Sequence, residues 1–121
     1  MWISHRIPMR QAREEKNMTK RRFKRLDKKI EPLCRDLDTF EEDEEVVRIG
    51  DWGYLSVIDY ESQFKSTRER YEYQAFSNSQ SLGLEVVYSV EFISKLTDNL
   101  LDELLEELND NDCAIYYTTA E

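Results

Sequence analysis

The sequence predicts an α+β fold with an N-terminal basic helix, a three- to four-stranded antiparallel sheet, an amphipathic acidic C-terminal helix and a short final strand. Three patterns support this. Apolar residues recur every three or four positions over 23–40, apolar and polar residues alternate over 84–93, and leucines recur at helical spacing over 96–108. The order helix, strands, helix, strand is that of one sheet packed against one or two helices.

The first predicted helix combines an apolar stripe with a basic surface. Seven of the ten residues from Lys20 to Lys29 are Lys or Arg. Pro32 lacks a backbone N–H and biases Glu31 away from helical geometry. We therefore expect a helix over 18–31 and a shorter turn over 32–40. The stripe comprises Phe23, Leu26, Ile30, Leu33, Leu37 and Phe40.

Strand patterns begin after five consecutive acidic residues, 41–45. Runs of β-branched and aromatic residues, and runs of alternating polarity, indicate strands, whereas clusters of Gly, Ser and Asn indicate turns. The stretch from Glu61 to Glu69 is polar and typical of a loop. The predicted strands are Val46–Ile49, Tyr54–Tyr60, Arg70–Phe76, Leu84–Ile93 and Cys113–Thr118, with turns at Gly50–Gly53 and Ser77–Ser81.

The C-terminal helix has the clearest amphipathic pattern. Thr97 or Ser94 can cap its start, and the polar run 109–112 ends it. An earlier start near Ser89 is an alternative, because Phe92 and Ile93 extend the apolar stripe. Its apolar face comprises Leu96, Leu100, Leu101, Leu104, Leu105 and Leu108, and its opposite face comprises Asp98, Asp102, Glu103, Glu106, Glu107 and Asp110.

The charge of the chain is segregated along the sequence. Residues 1–35 hold twelve of the seventeen Lys and Arg residues and only four acidic residues, a local net charge of +8. Residues 36–121 have a local net charge of −17, so the overall −9 averages two parts of opposite sign. We therefore divide the chain into a basic N-terminal arm and helix, 1–40, and an acidic α+β body, 41–121.

Composition excludes several classes of protein. No apolar run approaches the ~18 residues of a membrane span, and the first residues lack the apolar core of a signal peptide. Cys34 and Cys113 are not spaced as a ligand pair, and His5 is the sole histidine, so we expect reduced cysteines and no zinc site. A protein of the cytoplasm fits these features.

Catalytic motifs are missing from the sequence. It has no glycine-rich phosphate loop and no nucleophile elbow, and one histidine near a basic terminus does not suggest a catalytic relay. We therefore expect no enzymatic activity and no cofactor. A metal-dependent nuclease using Asp59, Glu61 and Lys65 is the nearest catalytic alternative, although these residues can equally solvate the end of a strand.

The basic segment is the first candidate site. It comprises Lys20, Arg21, Arg22, Lys24, Arg25, Lys28 and Lys29. These charges can neutralise a phosphate backbone and give salt-dependent binding. Phe23 in their midst either stacks on a base or anchors the apolar stripe to the body, and we favour the anchor. The basic helix could alternatively dock on the acidic surface of its own body.

Two acidic surfaces form the second candidate site. They comprise Glu41, Glu42, Asp43, Glu44 and Glu45 in the run before the first strand, and Asp102, Glu103, Glu106 and Glu107 on the C-terminal helix. They can serve solubility alone. Alternatively, their carboxylates imitate a phosphate track and occupy the lysines and arginines of a nucleic-acid channel.

Four segments resemble a known family. They are Asp51–Ser56, Tyr71–Ser79, Leu84–Val87 and Ser94–Leu96 before the leucine-rich helix. In this order they resemble the small phage-encoded anti-CRISPR proteins of type II systems, in particular the broad-spectrum inhibitor group with an Arg- and Lys-rich N-terminal segment. The resemblance covers about residues 20–108. The loops here are shorter, the arm has a helical pattern and the body is more acidic than in that group.

The resemblance implies a non-enzymatic inhibitor of an RNA-guided effector nuclease in the host bacterial cytoplasm. Its partner would be the nuclease with its guide RNA, and the basic segment would contact RNA or the nuclease. The acidic body makes direct blocking of target DNA binding an equal expectation. The alternative is a small nucleic-acid-binding phage regulator that acts through the basic helix.

Overall fold

The computed structural model describes residues 21–82, 90–111 and 115–121. It confirms the α+β class, with helices and one three-stranded antiparallel sheet. In chain order the elements are α1 (21–30), short 3₁₀ turns at Glu31–Leu33 and Leu37–Thr39, β1 (Glu45–Ile49), β2 (Gly53–Ser56), α2 (Val57–Glu61), α3 (Thr67–Ser81), α4 (Val90–Lys95), α5 (Asp98–Asn109) and β3 (Ile115–Thr119).

The basic helix forms where the apolar spacing predicts it. Phe23, Leu26 and Ile30 are buried on one side of α1. The α-helix gives way to a 3₁₀ turn at Glu31–Leu33 because Pro32 supplies no N–H donor. Residues 18–20 of the predicted helix lie outside the described residues.

The sheet has the order β2-β1-β3, so the first strand is central. Val47 of β1 pairs with Leu55 of β2 and with Tyr117 of β3. The predicted turn at Gly50–Gly53 joins β1 to β2. Gly53 has φ of +120°, and a Cβ there would lie 2.9 Å from the carbonyl oxygen of Arg35. Glycine thus allows the segment after α1 to bond the outer edge of β2.

The predicted strand Tyr54–Tyr60 is wrong in its second half. β2 ends at Ser56, whose side-chain oxygen accepts a hydrogen bond of 3.1 Å from the backbone N–H of Asp59. This cap starts α2 despite the β-branched residues that follow.

The predicted strand Arg70–Phe76 and turn Ser77–Ser81 are also wrong, because both lie within α3. Ser66 accepts a hydrogen bond of 3.1 Å from the N–H of Glu69, and the Glu69 carboxylate accepts one of 2.8 Å from the N–H of Lys65. This reciprocal arrangement is close to a capping box and fixes the start of a 15-residue helix.

The chain after α3 is partly described. The predicted strand Leu84–Ile93 is contradicted over its last four residues, which belong to α4, and residues 83–89 lie outside the described part. The predicted leucine-rich helix is confirmed as α5, with Thr97 as its cap and its end at Asn109. The final strand is also confirmed, although residues 113 and 114 lie outside the described part.

Helix α3 lies between two hydrophobic clusters. Tyr73 and Phe76 pack with α1, α2 and the sheet in the first cluster. Ala75 packs with the leucines of α5 and with Ile93 of α4 in the second. The basic helix and the acidic helix therefore contact different sides of the same central helix.

Candidate nucleic-acid and partner interface

Helix α1 is held by its apolar side. Phe23 has no exposed surface, and its ring centroid lies 5.9 Å from that of Tyr73 and 5.4 Å from that of Phe76. The edge-to-face geometry with Tyr73 is one that aromatic pairs favour. Phe23 thus anchors α1 to α3, and its ring is not available to stack on a base.

The opposite side of α1 is basic and exposed. Its exposed cations include Arg21, Lys24, Arg25, Lys28 and Lys29. Within residues 21–82, 90–111 and 115–121, no acidic group lies within ion-pair distance of these five side chains. The described body therefore does not neutralise this surface, which we call the basic face. Lys20 lies outside the described residues.

The spacing of the basic face works against the helix itself. Arg21 and Arg25, Lys24 and Lys28, and Arg25 and Lys29 are like-charged pairs four residues apart. Each such pair destabilises a helix by roughly 0.2–0.5 kcal/mol. Helix stability therefore does not explain this arrangement, whereas a phosphate backbone or an acidic partner would relieve the repulsion.

Arg22 differs from the other cations of α1. Its guanidinium lies 3.1 Å from the carboxylate of Glu72, a side chain of α3 that is only 6% exposed. Arg68 approaches the same carboxylate at 3.7 Å and pairs with Asp98 at 3.0 Å. Burial raises the pKa of Glu72, and the two arginines partly oppose that rise. Arg22 is therefore part of the link between α1, α3 and α5.

The outer side of α5 is acidic. Asp102, Glu103, Glu106 and Glu107 are exposed, and the buried leucines occupy the side facing α3. No described Lys or Arg pairs with these four carboxylates. Glu106 and Glu107 also lie in the last turn, where negative charge opposes the helix dipole. These charges therefore do not stabilise α5.

The acidic run 41–45 leads into the sheet. Glu41, Glu42 and Asp43 are exposed in a turn. Glu44 is half-buried, and its backbone carbonyl accepts a hydrogen bond of 3.0 Å from Ala120. Glu45 begins β1, so this acidic set belongs to the sheet while the other belongs to α5.

A cavity of about 340 Å³ lies between α1, the β1–β2 turn and α3. The residues that line it include Trp52, Tyr73, Phe76 and Asp27. The Tyr73 hydroxyl donates a hydrogen bond to Oδ1 of Asp27. Burial raises the pKa of Asp27, while this hydrogen bond lowers it. The residues that form this cavity were not predicted as a site.

Sequence offered one signal for the cavity. Asp27 is the single acidic residue among the cations of 20–29 and lies beside the apolar stripe. The other walls come from positions more than 20 residues away, and their approach depends on the helical geometry of α3.

Residues of the nuclease alternative do not form a cluster with further acids. Glu61 pairs with Arg70 at 2.7 Å, and Asp59 and Lys65 are exposed. In the described part of the chain, no three His, Cys, Asp or Glu side chains are arranged to hold a metal. Cys34 is a free thiol whose pKa is raised to about 11 by burial and by the nearby Glu31. Cys113 and His5 lie outside the described residues.

The helices of the described segments include none with the length and apolarity to cross a membrane. The chain matches no protein-family model, no curated protein and no solved structure.

Proposed function

We propose that this protein is a non-enzymatic phage inhibitor of the anti-CRISPR class, acting in the bacterial cytoplasm on a type II RNA-guided nuclease. It binds the nuclease with its guide RNA and blocks target DNA binding or cleavage. The observation that carries the proposal is the exposure of the basic face of α1 and of the four outer carboxylates of α5. Neither surface forms ion pairs with the described body. The family resemblance supplies the identity of the partner.

The two surfaces suit the two components of such a complex. The basic face is about 15 Å long, because ten helical residues each rise ~1.5 Å, and it can follow several phosphates of the guide RNA. The carboxylates of α5 and of the run 41–45 can occupy arginines and lysines with which the nuclease holds DNA. Both contacts exchange self-repulsion within the inhibitor for attraction to the partner.

A cleavage assay tests the proposal. Full-length protein is added to a panel of type II nucleases loaded with guide RNA, followed by target DNA, and both DNA binding and cleavage are measured. We expect at least one nuclease to lose target binding or cleavage at near-equimolar inhibitor. Complete cleavage by every nuclease at large inhibitor excess would refute the proposal.

Charge reversal then identifies the surface that each contact uses. One variant combines Lys24→Glu, Arg25→Glu, Lys28→Glu and Lys29→Glu. Another combines Asp102→Lys, Glu103→Lys, Glu106→Lys and Glu107→Lys. We expect each variant to raise the half-inhibitory concentration by roughly tenfold or more. The loss of inhibition caused by reversing the α1 charges should become smaller as the salt concentration rises. Reversal of the exposed Asp36 and Asp38, which lie in neither surface, is the matched control. Circular dichroism verifies that each variant folds.

The regulator is a second candidate, and the exposed basic face favours it. The discriminating measurement is the affinity of the protein alone for DNA and RNA over a range of salt concentrations. Tight binding with a slope of about −4.5 in log K against log salt, as five neutralised phosphates of a duplex would give, supports the regulator. Weak binding without a nuclease supports the inhibitor.

A further inference from the structure

We propose that the cavity beside α1 binds a single unstacked nucleobase, which stacks on Trp52 and directs its N–H edge toward Asp27. This proposal rests on the proposed phosphate contact of the basic face, and it adds a base-binding site to that contact. The ligand class is single-stranded nucleic acid with a purine, guanine above all, at the bound position.

The size and lining of the cavity fit a base. Its volume of about 340 Å³ lies in the ~300–1,000 Å³ range of small-molecule sites. Trp52 is 40% exposed although it is a large aromatic residue, and it shares the cavity with the buried rings of Tyr73 and Phe76. Proteins that bind single strands use such rings as stacking surfaces for splayed bases.

The charged groups that line the cavity are carboxylates, and its neutral polar side chains include Ser77, Gln80 and Ser81. Oδ1 of Asp27 accepts a hydrogen bond from the Tyr73 hydroxyl, which leaves the carboxylate with further lone pairs. Asp51 in the β1–β2 turn adds a second carboxylate. A carboxylate accepts from the amino and imino N–H groups of a base edge. Guanine has two adjacent donors on that edge, uracil has one and an abasic sugar has none.

The surroundings orient the ligand. Two carboxylates inside the cavity repel a phosphate, whereas Lys24 and Lys28 on the same helix as Asp27 attract one. A strand would therefore place its backbone along the basic face and its base in the cavity. An arginine side chain of a partner protein is the rival occupant, but these two lysines disfavour a cation approaching from the side of α1.

Fluorescence provides a direct readout. The chain has two tryptophans, so the full-length Trp2→Phe variant reports on Trp52 alone. It is titrated with two five-nucleotide strands of equal phosphate number, one all-abasic and one carrying a single guanine. We expect the guanine strand to bind roughly tenfold more tightly and to quench Trp52. Equal affinity of the two strands, or no change in Trp52 emission, would overturn the proposal.

Variants separate the contributions, with anisotropy of labelled strands as the measurement. Trp52→Ala should remove the difference between guanine and abasic strands without changing the abasic affinity. Asp27→Asn should reduce the preference for guanine over uracil. Tyr117→Ala is the control, because Tyr117 is an aromatic residue of similar exposure, 42%, that does not line the cavity. It should change neither the guanine-to-abasic nor the guanine-to-uracil ratio of affinities. A Tyr117 variant with the same loss as the Trp52 variant contradicts the assignment.

The failure of this proposal is distinct from failure of the phosphate contact. Salt dependence of the all-abasic strand tests the basic face, and the ratio of the two strands tests the cavity. If no strand binds, millimolar guanosine monophosphate tests the cavity directly through Trp52. Absence of quenching there, or quenching by an arginine-rich peptide in its place, counts against base binding.

Discussion

Two buried tyrosines illustrate how individual residues contribute to this fold. Tyr60 of α2 and Tyr73 of α3 both lie in the first hydrophobic cluster and are almost completely buried. The hydroxyl of Tyr73 donates to Asp27, whereas that of Tyr60 has no hydrogen-bond partner in the described chain. An unpaired buried hydroxyl costs about 1–3 kcal/mol, so the two hydroxyl groups should have opposite effects on stability.

Removing the Tyr60 hydroxyl should stabilise the protein. We expect Tyr60→Phe to raise the free energy of unfolding by about 1 kcal/mol, because the ring contacts with Phe64 and Tyr117 remain while the desolvated hydroxyl is lost. Tyr73→Phe is the matched control and should lower the free energy of unfolding by about 1 kcal/mol, since the Asp27 carboxylate loses a hydrogen-bond donor. Urea unfolding monitored by circular dichroism measures both, and a destabilised Tyr60 variant contradicts the expectation.

Among the elements, α5 depends on its cap. Thr97 precedes the first helical residue, and its hydroxyl oxygen accepts a hydrogen bond of 3.3 Å from the N–H of Leu100. The acidic residues of the last turn weaken the helix, so the cap has added importance. The position of the α5 carboxylates relative to α3 depends on this element remaining intact.

Substitution of the cap should therefore be measurable. Thr97→Ala is expected to lower the free energy of unfolding by about 1 kcal/mol, since one N–H at the start of α5 loses its acceptor. Thr97→Ser retains the oxygen and should stay within a few tenths of a kcal/mol of the parent. Chemical denaturation compares the three proteins. Equal losses in the Ala and Ser variants would show that the methyl group, rather than the cap, matters.

Sequence predicted α1 and α5 but not α3, and the difference is physical. Helices α1 and α5 each bury one side, so their apolar residues repeat every three or four positions. Helix α3 is buried on two sides, with Tyr73 and Phe76 toward the sheet and Ala75 toward α5. Its buried residues also include Glu72 and polar side chains. No single stripe results, and the alternation of Tyr71, Tyr73 and Ala75 imitates a strand.

The candidate sites also differ in whether the sequence predicts them. The charged surfaces can be predicted, because each is formed by residues close together in the sequence, on one helix or in one run. The cavity requires Asp27, Trp52 and Tyr73 to converge from three elements, and its prediction needs the tertiary fold. The capping pattern Ser66–Glu69 was the local signal that could have identified α3, and with it the wall of the cavity.

At the scale of the whole molecule, charge works against the folded state. The net charge is −9, and no described ion pair neutralises the four outer carboxylates of α5 (Asp102, Glu103, Glu106 and Glu107) or the cations of the basic face. Burial additionally raises the pKa of Asp27 and of Glu72 from their ordinary values of 3.8 and 4.5. Each group binds its proton more tightly in the folded protein than in the unfolded chain. Protonation therefore favours folding.

The sign of the pH dependence follows. Stability contributed by these two groups is complete below their ordinary pKa values and is lost as pH rises through the raised ones. Lowering pH also reduces the net negative charge. We expect the free energy of unfolding to be larger at pH 4.5, close to these ordinary pKa values, than at pH 7.5, as measured by urea titration at constant ionic strength. Asp27→Asn with Glu72→Gln should flatten this slope, whereas Asp102→Asn with Glu103→Gln, on exposed sites, should leave the carboxyl contribution intact. A parent protein that loses stability between pH 7.5 and 4.5 would contradict the assignment, because both burial and net charge predict the opposite sign.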